Sequence, residues 1–394
     1  MNKILMYSLF YYPHPPGGAE IAIKEITDRL PGGKFEFHML TLRLDPAIPK
    51  TEKIGNVLVH RVGLSGRGER STRPSFIMKI GKITFLIFSL LKAVSLQRKE
   101  KFNTVWAMMA GYAGLGALFF KLIYPKVKMT LSLQEGDPID EIKHRARFIY
   151  PVWKMIFKKA DAVQAISSYL ADFGKSIGKR EDVVVVPNGV NPETFLCRNK
   201  EKFRKELRGK FGWSMDDFIL VTTSRLVEKN AVEDIINSLS FLPKEVKLLI
   251  IGIGPLEVKL KDEVRELALE NRVLFLGYVN HTDLPPYLWG SDVFVRPSLS
   301  EGMGNSFIEA MAAGLPVIGT AIGGIPDFLK DKETGLICAI RDPKDIARKV
   351  TVFMRDREIR DYVVQNAYKL VSEKYDWSLI AQKMARVLTF MHMM

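Results

Sequence analysis

Residues 297–320 read PSLSEGMGNSFIEAMAAGLPVIGT. The apolar run Val293–Val295 before them has strand character and stops at Arg296-Pro297. Ser298–Asn305 then forms a loop, Ser306 begins a helix, and Pro316–Gly319 is a second short strand. Strand, glycine loop, helix and strand in so little chain is the unit of a parallel sheet covered by helices. Two glutamates, Glu301 and Glu309, stand eight residues apart in it. They read as an acid/base pair, as a hand for a ligand, or as a helix start. Ser306-x-x-Glu309 has the form of a capping box, which accounts for Glu309 alone. Glu301 and the glycines at 302 and 304 are left over. Glycines at a strand's carboxyl end expose amides to an anion, and a helix dipole adds to the attraction.

Working outward, the same alternation continues in both directions. Toward the N-terminus the strand candidates are Lys3–Leu9, Phe35–Leu40, Val57–Val62, Thr104–Ala107, Lys128–Leu133, Ala162–Ile166 and Val183–Val186. Amphipathic segments follow several of them, at Ala19–Leu30, Tyr112–Leu122, Tyr150–Lys159 and Tyr169–Ile177. A second series begins after the charged run RNKEKFRKELRGKFG, with strands at Phe218–Thr223, Lys247–Ile251 and Val273–Leu276 before Val293. Two doubly wound α/β domains are expected, residues 1–197 and 198–375, which suits a chain of 394 residues. The tail 376–394 reads as a further helix.

In doubly wound sheets the ligand sits beyond the carboxyl ends of the strands. Three other strand ends are informative. Gly17-Gly18 leads from the first strand into a helix, as a tight turn or as a close approach to a bulky group. Arg225 and Lys229 follow Phe218–Thr223, as a solvated loop or as two cations for a diphosphate. Gly323-Gly324 and Pro326 follow Pro316–Gly319.

The formal charge of +14 is one-sided. Residues 1–200 hold 31 Lys and Arg against 17 Asp and Glu, whereas residues 201–394 hold 27 of each. An anionic partner for the first half, or a plain solubilising face, accounts for that. Ile83–Leu91, bounded by Lys82 and Lys92 in the segment Arg73–Phe102, is too short an apolar run to span a bilayer. It reads equally as a helix lying in a membrane interface and as a helix buried on the N-terminal sheet. Cys197 and Cys338 form no disulfide framework, and the N-terminus reads as a buried strand, so a cytoplasmic protein is expected.

Taken in order, PPGGAE (15–20), DAVQAISSYL (161–170), VVVVPNGVNPETF (183–195), TSRLVEKN (223–230), IGIGP (251–255), LGYV (276–279) and the 297–329 stretch resemble the retaining family-4 glycosyltransferases, the glycosyl transferases group 1. The resemblance runs nearly end to end, and Glu301-x7-Glu309 is its hallmark. It implies the GT-B fold, two Rossmann-like domains facing a central cleft, with the C-terminal helix crossing back to an acceptor-binding N-terminal domain. It implies a nucleoside-diphosphate sugar, of UDP or GDP, as donor and a saccharide or lipid-linked acceptor. Glu301 would contact the sugar and Glu309 the ribose, both as ligand-holding groups. Arg225, Lys229 and the amides of Gly302, Met303, Gly304, Asn305 and Ser306 would neutralise the diphosphate, with Gly17, Gly18, Gly254 and Asn230 also on the donor. No cofactor or metal is implied, and no nucleic acid. Three positions depart from the pattern. Asn230 stands where relatives often have Lys, Gln134 followed by Glu135 where many have His, and Asp327 where Glu is common. Gln134, Glu135 and His14 are candidates for the acceptor or sugar.

Competing classes fit less. A nicotinamide enzyme wants G-x-G-x-x-G after its first strand, and PPGGAEIA does not supply it. Charge alone suggests a nucleic-acid-binding protein, without a recognisable module. A GT-B sugar phosphorylase or a nucleotide-sugar epimerase is the alternative within the fold. The basic first half fits a peripheral position at the inner face of the cell membrane, in envelope polysaccharide or glycolipid synthesis.

Overall fold

Short runs of β-branched and aromatic residues make strands that helices cover on both faces. The computed structural model describes residues 1–13, 17–63, 76–178 and 180–390. They form two units, residues 1–188 with 377–394, and residues 189–376.

The first unit carries eight strands: β1 Asn2–Tyr7, β2 Phe35–Leu42, β3 Thr51–Ile54, β4 Val57–Val62, β5 Thr104–Met108, β6 Lys128–Leu133, β7 Ala162–Ala165 and β8 Val183–Val185. Their order is β3-β4-β2-β1-β5-β6-β7-β8, parallel except for the β3–β4 pair. The chain runs from β1 outward to β2, and from β5 outward the other way to β8. Right-handed crossovers therefore place the intervening helices on opposite faces. Helix Gly18–Arg29 takes one face and is itself covered by the C-terminal helix Trp377–Leu388. Ile23 and Ile26 pack there with Trp377, Ile380 and Met384. The tail thus completes the core of the first unit. The other face carries Phe76–Glu100, Tyr112–Ile123, Tyr150–Lys159 and Ser168–Gly178.

Phe76–Glu100 packs on the N-terminal sheet and is longer than its apolar centre suggests. It is a single 25-residue helix, and its part Met78–Glu100 is long and apolar enough to cross a membrane by length and composition. The nine-residue apolar centre understated it, because the helix continues through Ala93, Val94 and Leu96. Phe85, Ser89, Ala93 and Leu96 are buried at helical spacing, while Ile83, Ile87, Phe88 and Leu91 lie exposed. The helix is thus bound to the sheet by one stripe and presents a second, apolar stripe outward. The start of the Arg73–Phe102 segment lies outside the described residues.

The second unit carries β9 Phe218–Thr223, β10 Val246–Ile251, β11 Val273–Gly277, β12 Val293–Arg296, β13 Val317–Gly319 and β14 Leu336–Ile337, all parallel, in the order β11-β10-β9-β12-β13-β14. The sequence places the domain boundary at 197; the units divide at 188/189. The charged run taken as the divide is helix Lys200–Phe211 of the second unit. Arg208 is buried in it, donating to Asp292 Oδ2 at 2.7 Å and to the carbonyls of Gly290 and Asp217. A charge run that looks solvated is anchored here by one cation with all its partners inside.

Candidate active site

In the second unit the strand order reverses between β9 and β12. A crevice opens at such a switch point, beyond the carboxyl ends of the two strands. The loops that leave those ends carry Arg225, Lys229 and Asn230 after β9, and Glu301 to Ser306 after β12. They are joined directly, since Leu299 N donates to Lys229 O at 2.7 Å. Thr320 Oγ1 donates to Ser298 O, and Gly324 N to Glu301 O at 3.1 Å. Gly323, at φ +53°, has no room for a side chain, for a Cβ would lie 1.9 Å from Glu301 O. The second Gly-Gly pair thus clamps the Glu301 backbone. At the strand ends the hydroxyls of Thr222, Thr223, Ser224 and Ser298 are buried with no partner among the described residues.

Arg225 projects an exposed side chain, and Lys229 is half-exposed. Asn230 is buried and consumed internally. Its Nδ2 donates to Arg225 O at 2.7 Å, and its Oδ1 accepts from Arg296 Nη2 at 3.0 Å. Arg296, the last residue of β12, also donates from Nη2 to Glu301 Oε2 at 2.6 Å and from Nη1 to Ser306 Oγ at 2.7 Å. It touches three of the candidate site residues and was not among them. Gly254 packs against the backbone of Leu226, where a Cβ would meet the carbonyl oxygen at 2.3 Å.

The capping box at Ser306 does not form. Helix Asn305–Ala312 starts one residue earlier, with Gly304 at φ +93° as its N-cap and no side-chain cap. A glycine can adopt that left-handed backbone, and it brings no side chain to cap the first turn, where Phe307 N donates to the Gly304 carbonyl at 3.1 Å. Ser306 Oγ is taken by Arg296. The Glu309 carboxylate reaches His281 Nε2 at 2.9 Å instead, and the His281 ring packs against Phe195. Glu309 is buried, whereas Met303 and Gly302 line the same loop as buried residues. His281 lies 28 residues from Glu309, so no local spacing marks it.

In the first unit the switch lies between β1 and β5. Gly17 does not offer a free amide there, because its N–H donates to Glu20 Oε2 at 2.7 Å. Gly18 is the first residue of the helix. After β6, Gln134 and Asn188 exchange two amide hydrogen bonds of 3.1 Å. Glu135 Oε1 accepts from Ala110 N at 2.8 Å, while Oε2 is buried without a partner among the described residues. Burial pushes this carboxyl above its ordinary range, against the opposing pull of the Ala110 N–H. His14 lies outside the described residues. At the amino end of the same sheet Glu36, His38 and Glu100 bring ligand atoms within 4.8 Å of one another. The Lys3 ammonium bridges both carboxylates, at 3.3 and 2.9 Å, and supplies the positive charge.

The profile described as Glycosyltransferase Family 4 matches residues 16–194, and that of Glycosyl transferases group 1 matches residues 203–370. The chain belongs to this glycosyltransferase family. An uncharacterized glycosyltransferase of Methanocaldococcus jannaschii is 27% identical over 98% of this chain and 97% of its own length. A GDP-mannose-dependent alpha-(1-6)-phosphatidylinositol monomannoside mannosyltransferase of Mycobacterium tuberculosis is 28% identical, over 60% of this chain and 64% of its own. Among solved structures, Anabaena HepE in complex with UDP-glucose superposes with a TM-score of 0.79 at 19% identity, covering 98% of this chain and 99% of that one. The fold of this glycosyltransferase is therefore GT-B, with two Rossmann-like parallel-sheet domains.

Proposed function

We propose that the protein is a retaining glycosyltransferase that moves a sugar from a UDP- or GDP-sugar to a saccharide or lipid-linked acceptor in envelope polysaccharide or glycolipid synthesis. The observation that carries this is the meeting of the β9 and β12 loops at one switch point, with two cations on the first loop, Glu301 on the second and Glu309 buried in the helix that follows it. In the reaction the bond from the anomeric carbon to the diphosphate oxygen breaks, and the sugar passes through an oxocarbenium-like state. Charge then grows on the leaving diphosphate, and preorganised donors aimed at it lower the barrier. Arg225, Lys229 and the amides from Gly302 to Ser306 take that role. Glu301 holds sugar hydroxyls and Glu309 the ribose. Glu135, with its unpartnered oxygen, and Gln134, paired with Asn188, follow β6 in the N-terminal domain and serve the acceptor or the sugar. The protein works at the cytoplasmic face of the membrane.

Two substitutions separate the glutamates. Glu301→Gln keeps the shape and loses the charge, so kcat for sugar transfer should fall by roughly 100-fold or more. Nucleotide release from a panel of UDP- and GDP-sugars, with and without acceptor, measures it; an unchanged kcat removes Glu301 from the chemistry. Cleavage that requires inorganic phosphate would instead identify a phosphorylase. Glu309→Ala should raise the nucleotide Kd by about tenfold, equivalent to ~1.4 kcal/mol. It should also lower Tm by ~2–4 °C, because the hydrogen bond to His281 is lost. A lower Tm with unchanged nucleotide affinity would leave Glu309 as a structural partner of His281 and nothing more.

A further inference from the structure

Arg296 brings a positive charge to a place already positive. Its guanidinium lies against the first turn of helix Asn305–Ala312, where it donates to the Ser306 hydroxyl. The N-terminal end of a helix dipole favours anions and disfavours cations. The side chain is also only 11% exposed, as is that of Glu301. A guanidinium so far from water needs a paired anion. Among the described residues Glu301 is the one carboxylate that pairs with it, and the Arg296 Nε is buried with no partner at all. Two sources of positive potential therefore converge on one point, and one carboxylate balances both. Asn230 ties this point to the other cation loop, holding Arg296 with its oxygen and the Arg225 carbonyl with its nitrogen.

Resting on the donor reading above, we infer that Arg296 is a diphosphate-binding residue that Glu301 occupies until the donor arrives. Phosphate oxygens then replace the Glu301 carboxylate on the guanidinium, whose planar fork suits them equally. Glu301 is released to accept hydrogen bonds from sugar hydroxyls. Phosphate and sugar recognition are thereby coupled through a single exchanged ion pair. Arg296 reaches position 230 from β12, so it places a cation where the family pattern often has Lys and this chain has Asn.

The test is titration calorimetry on the full chain with UDP, GDP, and the matching nucleosides uridine and guanosine. Arg296→Gln should weaken the preferred diphosphate by about 30-fold or more and leave the nucleoside unchanged, since the loss is of a charge-assisted contact. Arg296→Lys should retain part of the affinity. Adding Asn230→Lys to Arg296→Gln should restore about half of the lost affinity on a logarithmic scale, because a charge returns to the same place. Glu301→Gln should bind the diphosphate about 5- to 10-fold more tightly than wild type, because the carboxylate no longer competes for Arg296. That gain is the result a purely structural ion pair would not give. If Arg296→Gln binds the diphosphate like wild type, or Glu301→Gln binds it more weakly, the inference is overturned and the donor reading stands. If the wild type binds neither UDP nor GDP, the donor reading falls and takes the inference with it. Should Arg296→Gln fail to fold, Arg296→Lys and Glu301→Gln decide the matter by the same two signs.

Discussion

Arg225→Ala is expected to weaken binding of the preferred nucleoside diphosphate by ~2–4 kcal/mol, or about 30- to 1000-fold, with Tm nearly unchanged. The two halves of that expectation have separate causes. The backbone of Arg225 is fixed, since its carbonyl accepts from both Asn230 Nδ2 and Val227 N. The guanidinium is exposed and pairs with no carboxylate among the described residues. Truncating it orphans no internal charge, so the fold loses little. It does orphan a diphosphate charge at the carboxyl end of β9, which is where the affinity goes. Arg208 is the contrast. Its two terminal nitrogens donate to Asp292 and to the carbonyls of Gly290 and Asp217, and truncating it would leave Asp292 with Arg204 as its hydrogen-bonded cation. Calorimetry with UDP and GDP on wild type and Arg225→Ala measures the effect and shows which nucleotide is used. Equal affinity of the two proteins for the preferred nucleotide would remove Arg225 from the donor site.

Much of this was legible in the sequence, for reasons that also explain what was not. The strands are short runs rich in apolar and β-branched residues, and β4, β6 and β9 begin and end where those runs do. The strand β3, Thr-Glu-Lys-Ile, was missed because an edge strand needs neither apolar alternation nor a buried face. Strand β14 is two residues long and leaves no pattern. Helix Lys200–Phe211 reads only as a charged run before the second series, because composition cannot tell a buried Arg208 from a solvated one. The loops carrying Arg225 and Glu301 were found, since glycines and charges at strand ends are local signals. Their internal partners were not. The hold of His281 on Glu309 spans 28 residues, and that of Arg296 on Asn230 spans 66. Arg296 did leave one trace. It is the only charge in the strand Val-Phe-Val-Arg, and it falls at the carboxyl end beside the switch point. A cation that closes a buried parallel strand there is worth reading as a site residue before it is read as a strand terminator. The capping box failed for a physical reason of the same kind. Gly304 supplies the left-handed turn without a side chain, so Ser306 pairs with Arg296 and Glu309 with His281 instead of capping the helix.

Salt-sensitive binding to anionic vesicles is the other large expected effect, and it arises from a face of the first unit. Helix Phe76–Glu100 presents Ile83, Ile87, Phe88 and Leu91 to solvent, Leu91 at 62% exposure. Helix Tyr150–Lys159 packs, as it does, on helix Tyr112–Ile123, and the turn leading into it exposes Phe148 at 84% together with Ile149. Burial lowers the pKa of the Lys82 ammonium, and the Arg145 charge adds to that effect. Lys79, Arg145 and Arg147 stand exposed on the same segments, Arg145 paired with Asp137 and Glu141 and the Arg147 guanidinium 4.4 Å from the Phe148 ring centre. An exposed aromatic residue and an apolar stripe on segments that also carry exposed cations match the boundary between acyl chains and anionic headgroups, where each basic residue contributes ~1 kcal/mol. The net charge of +14 in the first 200 residues adds to the attraction. Lys82 is half-buried, so reversing its charge would strain the fold; Lys79, Arg145 and Arg147 are the positions to change. Wild-type protein should pellet with vesicles containing phosphatidylserine at low salt, and much less at 0.5 M salt, where the Debye length is about 4 Å. The triple variant Lys79→Glu, Arg145→Glu, Arg147→Glu should lose about 3 kcal/mol or more of that binding, a factor of at least ~100. Phe148→Ser should weaken it independently of salt, because what it removes is apolar burial. Neutral vesicles should retain little of either. If the wild type stays in the supernatant with anionic vesicles at low salt, the face does not dock on a membrane, and a soluble saccharide becomes the better acceptor.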